Sequence, residues 1–360
     1  MSSNSENKVN VAFTGDIIFN NNYIDLYNSG INPFVNLNSV FFDKDFVIGN
    51  LECLVKGENG ENLLRKPRLH TTLETLNFLK KINISMVSLA QNHIYDQLED
   101  GFKKTIAFLE KNGILWLGAG QTKKEAAQPQ IICHKGIKIG FLNYVTEDTH
   151  PNLPENANVY LNIFNEQSVY EDIKNLKSSI DHLVLLLHWG GRMEGELFPD
   201  FEQPIIAKKL IDAGADLIIG HHSHSFQPFE IYKGKYIFYS LGNFCLSDFV
   251  FEGSSFVMPA RMKIAGIVFI NFLKNNYTVS IEFFKNNLTT YLKIENYRKK
   301  LRFQNFIFKH FLCYKMVWKS YYLYIKYINT LIVFLRKKDD TLKGKIILIF
   351  KIVRKRAFNL

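Results

Sequence analysis

Seven polar side chains stand at the ends of apolar runs, and all are oxygen or imidazole donors: Asp16, Glu52, Asn92, His93, His188, His222 and His224. Each alone has an ordinary explanation. An aspartate behind a glycine is commonly a turn former or helix cap, and a lone histidine is commonly a half-buried packing residue. The set weighs differently, because burying so many polar groups unpaired costs several kcal/mol, and a divalent cation satisfies them together. Within Gly220-His221-His222-Ser223-His224, the histidines at 222 and 224 are two apart. On an extended segment that spacing turns both imidazoles to one side, toward one ion. Carboxylate, amide and imidazole donors without thiolate fit manganese, iron or zinc better than calcium. If such a centre is catalytic, the cation lowers the pKa of a bound water and polarises a phosphoryl or carbonyl oxygen. Hydrolysis of a phosphoester is the simplest outcome. The basic run Arg65, Lys66, Arg68 and His70 would then supply positive charge for an anionic substrate, a solvated loop being the plain alternative. Arg68 and His70 are the candidate contacts.

Bringing donors from two hundred residues together requires strands whose ends converge. From residue 9 to about 285, β-branched runs alternate with amphipathic stretches, the pattern of an α/β sandwich. Strand-like runs begin at residues 9, 46, 86, 137, 183 and 216. A helix is expected over roughly 97–111, with Leu98, Phe102, Ile106 and Leu109 on one face, and another over 202–213, with Ile206, Leu210 and Ala213 on one face. Gly113 and Gly214 follow them, where left-handed caps are expected. Beyond Gly220, FEIYKGKYIFYSL reads as a hairpin turning at Lys233-Gly234, and further strands are expected near 264–272 and 277–284. Parallel strands first and antiparallel strands later thus make two mixed sheets flanked by helices, with the polar loops gathered at strand carboxyl ends.

The succession TGDIIF at 14, GNLE at 49, SLAQNHIYD at 88, GILWLGAG and KEAAQP from 113, LLHWG at 186, DAGADLIIGHHSHSFQPFE from 212 and YSLGNF at 239 resembles the CapA family of poly-gamma-glutamate capsule biosynthesis proteins. That family is similar to calcineurin-like metallophosphatases, and the likeness covers roughly residues 9–250. It implies a four-layer metallophosphatase-like sandwich with a metal centre at the strand ends. Asp16, Glu52 and Asn92 match acidic and amide ligands, and His188, His222 and His224 the imidazole ligands. His93 matches the residue that protonates a leaving group or stabilises a transition state, and Asp96 would orient it. YSLGNF adjoins the metal motif in the family, which places Ser240 and Asn243 at the pocket rim. Ile17 and Ile18 stand where metallophosphatases have Asp-x-His, and Asn50 stands where a bridging carboxylate is usual, so the centre holds one ion or two. Arg192 occupies the position of a family glutamate, with Glu194 and Glu196 beyond it, so the acid has either changed or shifted register.

The 360 residues carry a net charge of +10, unevenly distributed. Residues 291–360 hold 18 Lys or Arg against Glu295, Asp339 and Asp340, leaving 26 basic and 31 acidic residues, or −5, in the rest. Four cysteines without a CxxC pair exclude a zinc knuckle or disulfide framework and favour a reducing compartment. Residues 1–8 are expected to be a disordered N-terminus without an apolar signal segment, residues 9–290 the CapA-like domain, and residues 291–360 a basic, aromatic-rich helical extension. The longest uncharged stretch of that tail, Tyr327 to Leu335, is nine residues, short of the roughly 20 that span a bilayer. Lysines among Phe, Tyr, Trp and Leu fit helices lying on an anionic membrane surface. Packing on the acidic body is the next alternative, and the chain lacks a recognised nucleic-acid motif. The expectation is a metal-dependent hydrolase in capsule or envelope polymer synthesis, cytoplasmic or held at the inner face of a membrane, acting on an anionic small molecule or polymer. The alternative is a non-catalytic, metal-stabilised assembly subunit of a membrane-bound synthase.

Overall fold

Side-chain alternation along the strand Val9–Ile17 sends Val9, Val11 and Phe13 to one face and Ala12 to the other. This two-sidedness sets the architecture. In the computed structural model, which describes residues 7–329, the strand lies in the middle of a sheet ordered Tyr291–Lys293, Tyr277–Asn286, Ile264–Phe272, Val9–Ile17, Phe46–Leu51, Ile84–Ser88, Leu115–Leu117. The last four run parallel and the first three are antiparallel. A second sheet is ordered Phe229–Tyr232, Lys235–Phe238, Leu217–His221, His182–His188, Ile137–Val145, Gln130–His134. Phe13, Ile48 and Met86 of the first sheet share one apolar core with Ile139, Val184, Leu186 and Ile219 of the second.

Helices cover the outer faces. Phe102, Ile106 and Leu109 of helix Leu98–Lys111 pack with Val47 and Val87, and helix Glu166–Lys177 lies on the strand carrying Leu183, Leu185 and Leu187. Helix, sheet, sheet, helix is the expected four-layer α/β sandwich. Gly113 and Gly214 both close their helices at positive φ, 66° and 125°, as expected. Helix Glu202–Ala213 is rotated from the expected face: Ala207, Leu210 and Ile211 are buried, together with Gln203. The Gln203 Oε1 accepts from the Asp200 amide at 2.7 Å, which fixes that rotation.

The expected order of parallel then antiparallel strands needs one correction. Gln130–His134 forms an antiparallel hairpin with Ile137–Val145 in the middle of the chain. Its turn, Lys135-Gly136, has positive φ at both residues, 50° and 77°, the same chemistry as Lys233-Gly234 at 49° and 75°. The boundary of the tail is corrected as well. Tyr291–Lys293 is an edge strand of the first sheet, Tyr297 and Leu301 belong to the core, and the first compact unit extends through Asn305. Of the second unit, the described residues form helix Lys315–Leu323 between two single π-type turns, Phe308–Leu312 and Tyr324–Asn329. The expectations for residues 1–6 and 330–360 lie outside the described residues.

Asp216 pins the start of the strand Leu217–His221. Its carboxylate accepts from the Leu183 amide at 2.8 Å, pairs with Lys235 Nζ at 2.7 Å and also meets Lys177. Burial raises its pKa, but the two lysines and the amide prevail and hold it below the usual value. A carboxyl with a lowered folded-state pKa stabilises above the unfolded pKa of about 3.9, and loses that contribution as pH falls through the folded value. Asp216→Asn is therefore expected to cost about 1–3 kcal/mol near neutral pH. Denaturant unfolding checks this, with the gap between variant and parent closing below about pH 4.

Candidate metal centre

Five strand ends deliver the donors: Asp16 and His188 lie on Val9–Ile17 and His182–His188, and Glu52, Asn92 and the His222 and His224 pair follow Phe46–Leu51, Ile84–Ser88 and Leu217–His221. Gly15 lets the first strand touch the YSLGNF segment: a Cβ there would lie 1.8 Å from the Gly242 carbonyl oxygen, and the Asp16 amide donates to that oxygen at 2.9 Å. Gly220 makes the matching approach in the second sheet, where a Cβ would lie 2.0 Å from the Tyr239 oxygen. The ends of both sheets meet here. Asp16, Glu52 and His188 are fully inaccessible, and Asn92, His222 and Asn50 nearly so.

Two overlapping donor groups result. Glu52, His188 and His222 present ligand atoms within 4.8 Å of one another, and so do Asp16, Glu52 and His224. Glu52 is common to both, so the two groups adjoin and either could hold a cation. His222 and His224 fall in different groups, and the expectation of an extended segment carrying them needs correction. The backbone is not extended there: φ is 89° at His222 and 58° at His224, and the rings are 6.0 Å apart.

Electrostatics sort the members. Burial pushes the Glu52 carboxyl well above its ordinary range. Burial opposes ionisation of Asp16 also, yet contacts from His221 and His224 outweigh it and hold its pKa well below normal. Burial drives His188 well down and His222 down to about 4, so both are neutral imidazoles, the form that binds metal. Burial also opposes charge on His224, but Glu52 and Asp16 raise it to about 10.

Both carboxylate oxygens of Glu52 and both ring nitrogens of His222 are buried without a hydrogen-bond partner among the described residues. Such orphans are rare in folded proteins and expensive. A divalent cation fits these donors, because it can take the Glu52 carboxylate and one ring nitrogen of His222. Asn92 is oriented for the same purpose: its Nδ2 donates to the Thr149 carbonyl at 3.2 Å, leaving Oδ1 2.9 Å from His188 Nε2. Asn50 is not. Ser88 Oγ donates to its Oδ1 at 3.0 Å, and its Nδ2 donates to Asp16 Oδ1 at 2.8 Å.

His93 stands beside the donors with Nδ1–H donating to Asp96 Oδ2 at 2.6 Å, and that oxygen also accepts from the Leu69 amide at 2.7 Å. The Nε2 edge faces a cleft of ≈ 630 Å³ that His222, His224 and Glu194 also line. Arg65 and Lys66 both line this cleft, and Arg65 stands nearer the site, with Nη2 3.3 Å from His93 Nε2. Arg68 is directed elsewhere, paired with Glu61 at 2.8 Å and Glu252 at 2.9 Å, and neither it nor the half-buried His70 lines the cleft. Asn243 is placed behind His224, with Oδ1 2.9 Å from its Nδ1, and so supports that imidazole instead of forming the rim. Glu194 lies 3.9 Å from His224 Nε2, while Arg192 pairs with Asp200 and Glu202, so the acid of this loop has shifted two residues. His221 was not among the expected residues, yet its Nδ1 lies 3.4 Å from Asp16 Oδ1. Its place in the GHHSH run was the only signal for it.

Metal content tests this assignment. Purified protein is expected to retain a divalent cation and to lose about 2–3 kcal/mol of stability in chelator, the effect of a ligand present at about 100 times its Kd. Glu52→Gln and His222→Ala are expected to lose the metal and to unfold at the same denaturant concentration with or without chelator.

Residues 10–248 match the profile of the family described as bacterial capsule synthesis protein PGA_cap. The capsule biosynthesis protein CapA of Bacillus anthracis is 29% identical over 251 residues, covering 66% of this chain and 59% of that protein. The PGA biosynthesis protein CapA of Bacillus subtilis is 29% identical over 255 residues, covering 67% of this chain and 64% of that one. The chain thus spans less than two thirds of the length of either relative. Among solved structures, a phosphatase of Mycoplasma pneumoniae aligns with a TM-score of 0.49 at 14% identity, over 79% of this chain and 96% of that one. The family match begins one residue into the strand that carries Asp16 and ends beyond Asn243, so every donor lies inside it, and the chain belongs to the bacterial capsule synthesis protein PGA_cap family.

Proposed function

We propose that this protein is a metal-dependent phosphoester hydrolase serving capsule or envelope polymer synthesis. The observation that carries the proposal is the pairing of orphaned, buried donors on Glu52 and His222 with an oriented His93 at the edge of an open cleft. The polymer context comes from the family and from the names of the two Bacillus relatives. Asp16, Glu52, Asn92, His188, His222 and His224 would hold manganese, iron or zinc. A bound cation supplies Lewis-acid polarisation of a phosphoryl oxygen and an acidified water.

The rest is done by the chain. Asp96 fixes the His93 tautomer, so that the Nε2 edge, once protonated, donates to a leaving oxygen. Arg65 is held by its Nη1, which donates to the carbonyls of Thr149 at 3.3 Å and His150 at 2.5 Å. The remaining guanidinium edge, including a buried Nε without a hydrogen-bond partner among the described residues, is available to the anion. Glu194 repels the anion from the opposite side, which favours entry beside Arg65.

The second reading is a metal-stabilised assembly subunit. Ile18 in the cleft wall, where metallophosphatases carry a histidine, and Asn50, which directs a donor at Asp16, favour it. One experiment decides between the two. With a chromogenic phosphodiester and added manganese, His93→Ala is expected to lower kcat by about 10²–10⁴ while leaving metal content unchanged. If neither this substrate nor a long-chain alkyl phosphoester turns over and His93→Ala changes nothing measurable, the assembly reading gains.

The basic tail belongs to the same proposal as a membrane-surface element. Met316, Val317, Leu323 and Tyr324 are exposed in or next to the helix that carries Lys315 and Lys319, and among the described residues no helix is long and apolar enough to cross a membrane. The full chain is expected to float with anionic vesicles and not with neutral ones. Reversing Lys315 and Lys319 to Glu is expected to weaken binding at least about fivefold for each, since a basic residue near such a surface contributes about 1 kcal/mol.

A further inference from the structure

The cleft over the donors has two unlike sides. Arg65, His93, Glu194, His222 and His224 make the polar floor. The facing wall is Ile18, Leu246, Phe249, Phe256, Met258 and Met262, with no charged side chain among them. Phe249 and Phe256 pair across the hairpin of strands Phe249–Phe251 and Ser254–Phe256, their rings stacked 4.9 Å apart. Phe256 is 38% exposed, and across the mouth Leu63 and Leu64, which also line it, are 77% and 63% exposed.

The hairpin that carries this apolar surface is held in place by ion pairs at its tip and base, and one of their members, Lys66, lines the cleft as well. Glu252 at the hairpin tip pairs with Lys66 at 2.6 Å and Arg68 at 2.9 Å, and the Arg68 guanidinium lies 4.9 Å from the Phe251 ring centroid. At the hairpin base, Asp248 accepts from the Met258 amide at 2.7 Å and pairs with Lys263 at 3.0 Å. A wall so braced does not collapse onto the floor to bury its own rings, and its apolar area remains open to whatever enters.

We propose that the substrate is an amphiphile: a phosphoester whose anionic group sits on the donors beside Arg65, and whose alcohol portion is a hydrocarbon that lies along the Phe249–Phe256 wall. This rests on the hydrolase reading above and goes beyond it in naming the substrate class. A hydrophilic sugar or polyglutamate ester would leave its hydroxyls or carboxylates against that wall without partners, which costs free energy. A hydrocarbon gains free energy with every methylene removed from water.

The test is calorimetric titration of the manganese-loaded full chain with alkylphosphonates from methyl to octyl, below their micellar concentrations, none of which can be hydrolysed at phosphorus–carbon. Affinity is expected to rise on the order of threefold per methylene. In the Phe249→Ser, Phe256→Ser double variant the rise is expected to flatten while methylphosphonate affinity stays unchanged, which also shows that the site is still folded. Equal affinity of methyl- and octylphosphonate overturns the amphiphile inference and leaves the metal reading standing. An unchanged chain-length dependence in the double variant overturns the assignment to this wall. No binding of methylphosphonate by metal-loaded protein overturns the hydrolase reading itself, and this inference with it.

Discussion

Two carboxyl groups removed completely from water, Asp16 and Glu52, set the terms for the rest of this structure. Desolvating a carboxylate costs several kcal/mol unless positive charge or hydrogen bonds offset it. Asp16 has its compensation inside the protein, from His221, His224 and the Asn50 amide. Glu52 lacks it, with both oxygens orphaned and its nearest imidazole nitrogens 3.7 and 3.9 Å away. The fold brings four imidazoles, His188, His221, His222 and His224, around these two acids, a donor set that a divalent cation would fit. The convergence of both sheets at Gly15 and Gly220 exists to hold that arrangement.

The layered fold was legible because it depends on local periodicity. Alternating runs such as Val9, Val11, Phe13 and amphipathic spacing such as Phe102, Ile106, Leu109 survive folding unchanged. Turn chemistry is legible in the dipeptide itself: Lys233-Gly234 reads as a hairpin turn, and Lys135-Gly136 makes the same turn between the strands it joins. The identities of the donors were legible as types at strand ends. Their partition between two groups was not, because it depends on positive φ at His222 and His224, which neither residue type announces. The choice between Arg65 and Arg68 was equally hidden. It is decided by Glu61 and Glu252, one of them 184 residues away in sequence.

Some features read from sequence as losses have a different aspect in three dimensions. Arg192 replaces a family glutamate, yet Glu194 reaches the cleft from the same loop. Ile18 replaces a histidine, and becomes part of a continuous apolar surface with Leu246 and the hairpin.

The strand Asn243–Cys245 pairs in parallel with Val9–Ile17, placing Asn243 directly opposite Asp16. These two positions are 227 residues apart, and the segment between them builds the whole of the second sheet. During synthesis, then, the first half of the donors leaves the ribosome long before the strand that completes their surroundings. Contacts of such high sequence separation fold slowly, and a nascent chain emerges at about 5–20 residues per second. A chain interrupted before residue 243 therefore carries every candidate donor but lacks the strand that backs His224 and lies against Asp16.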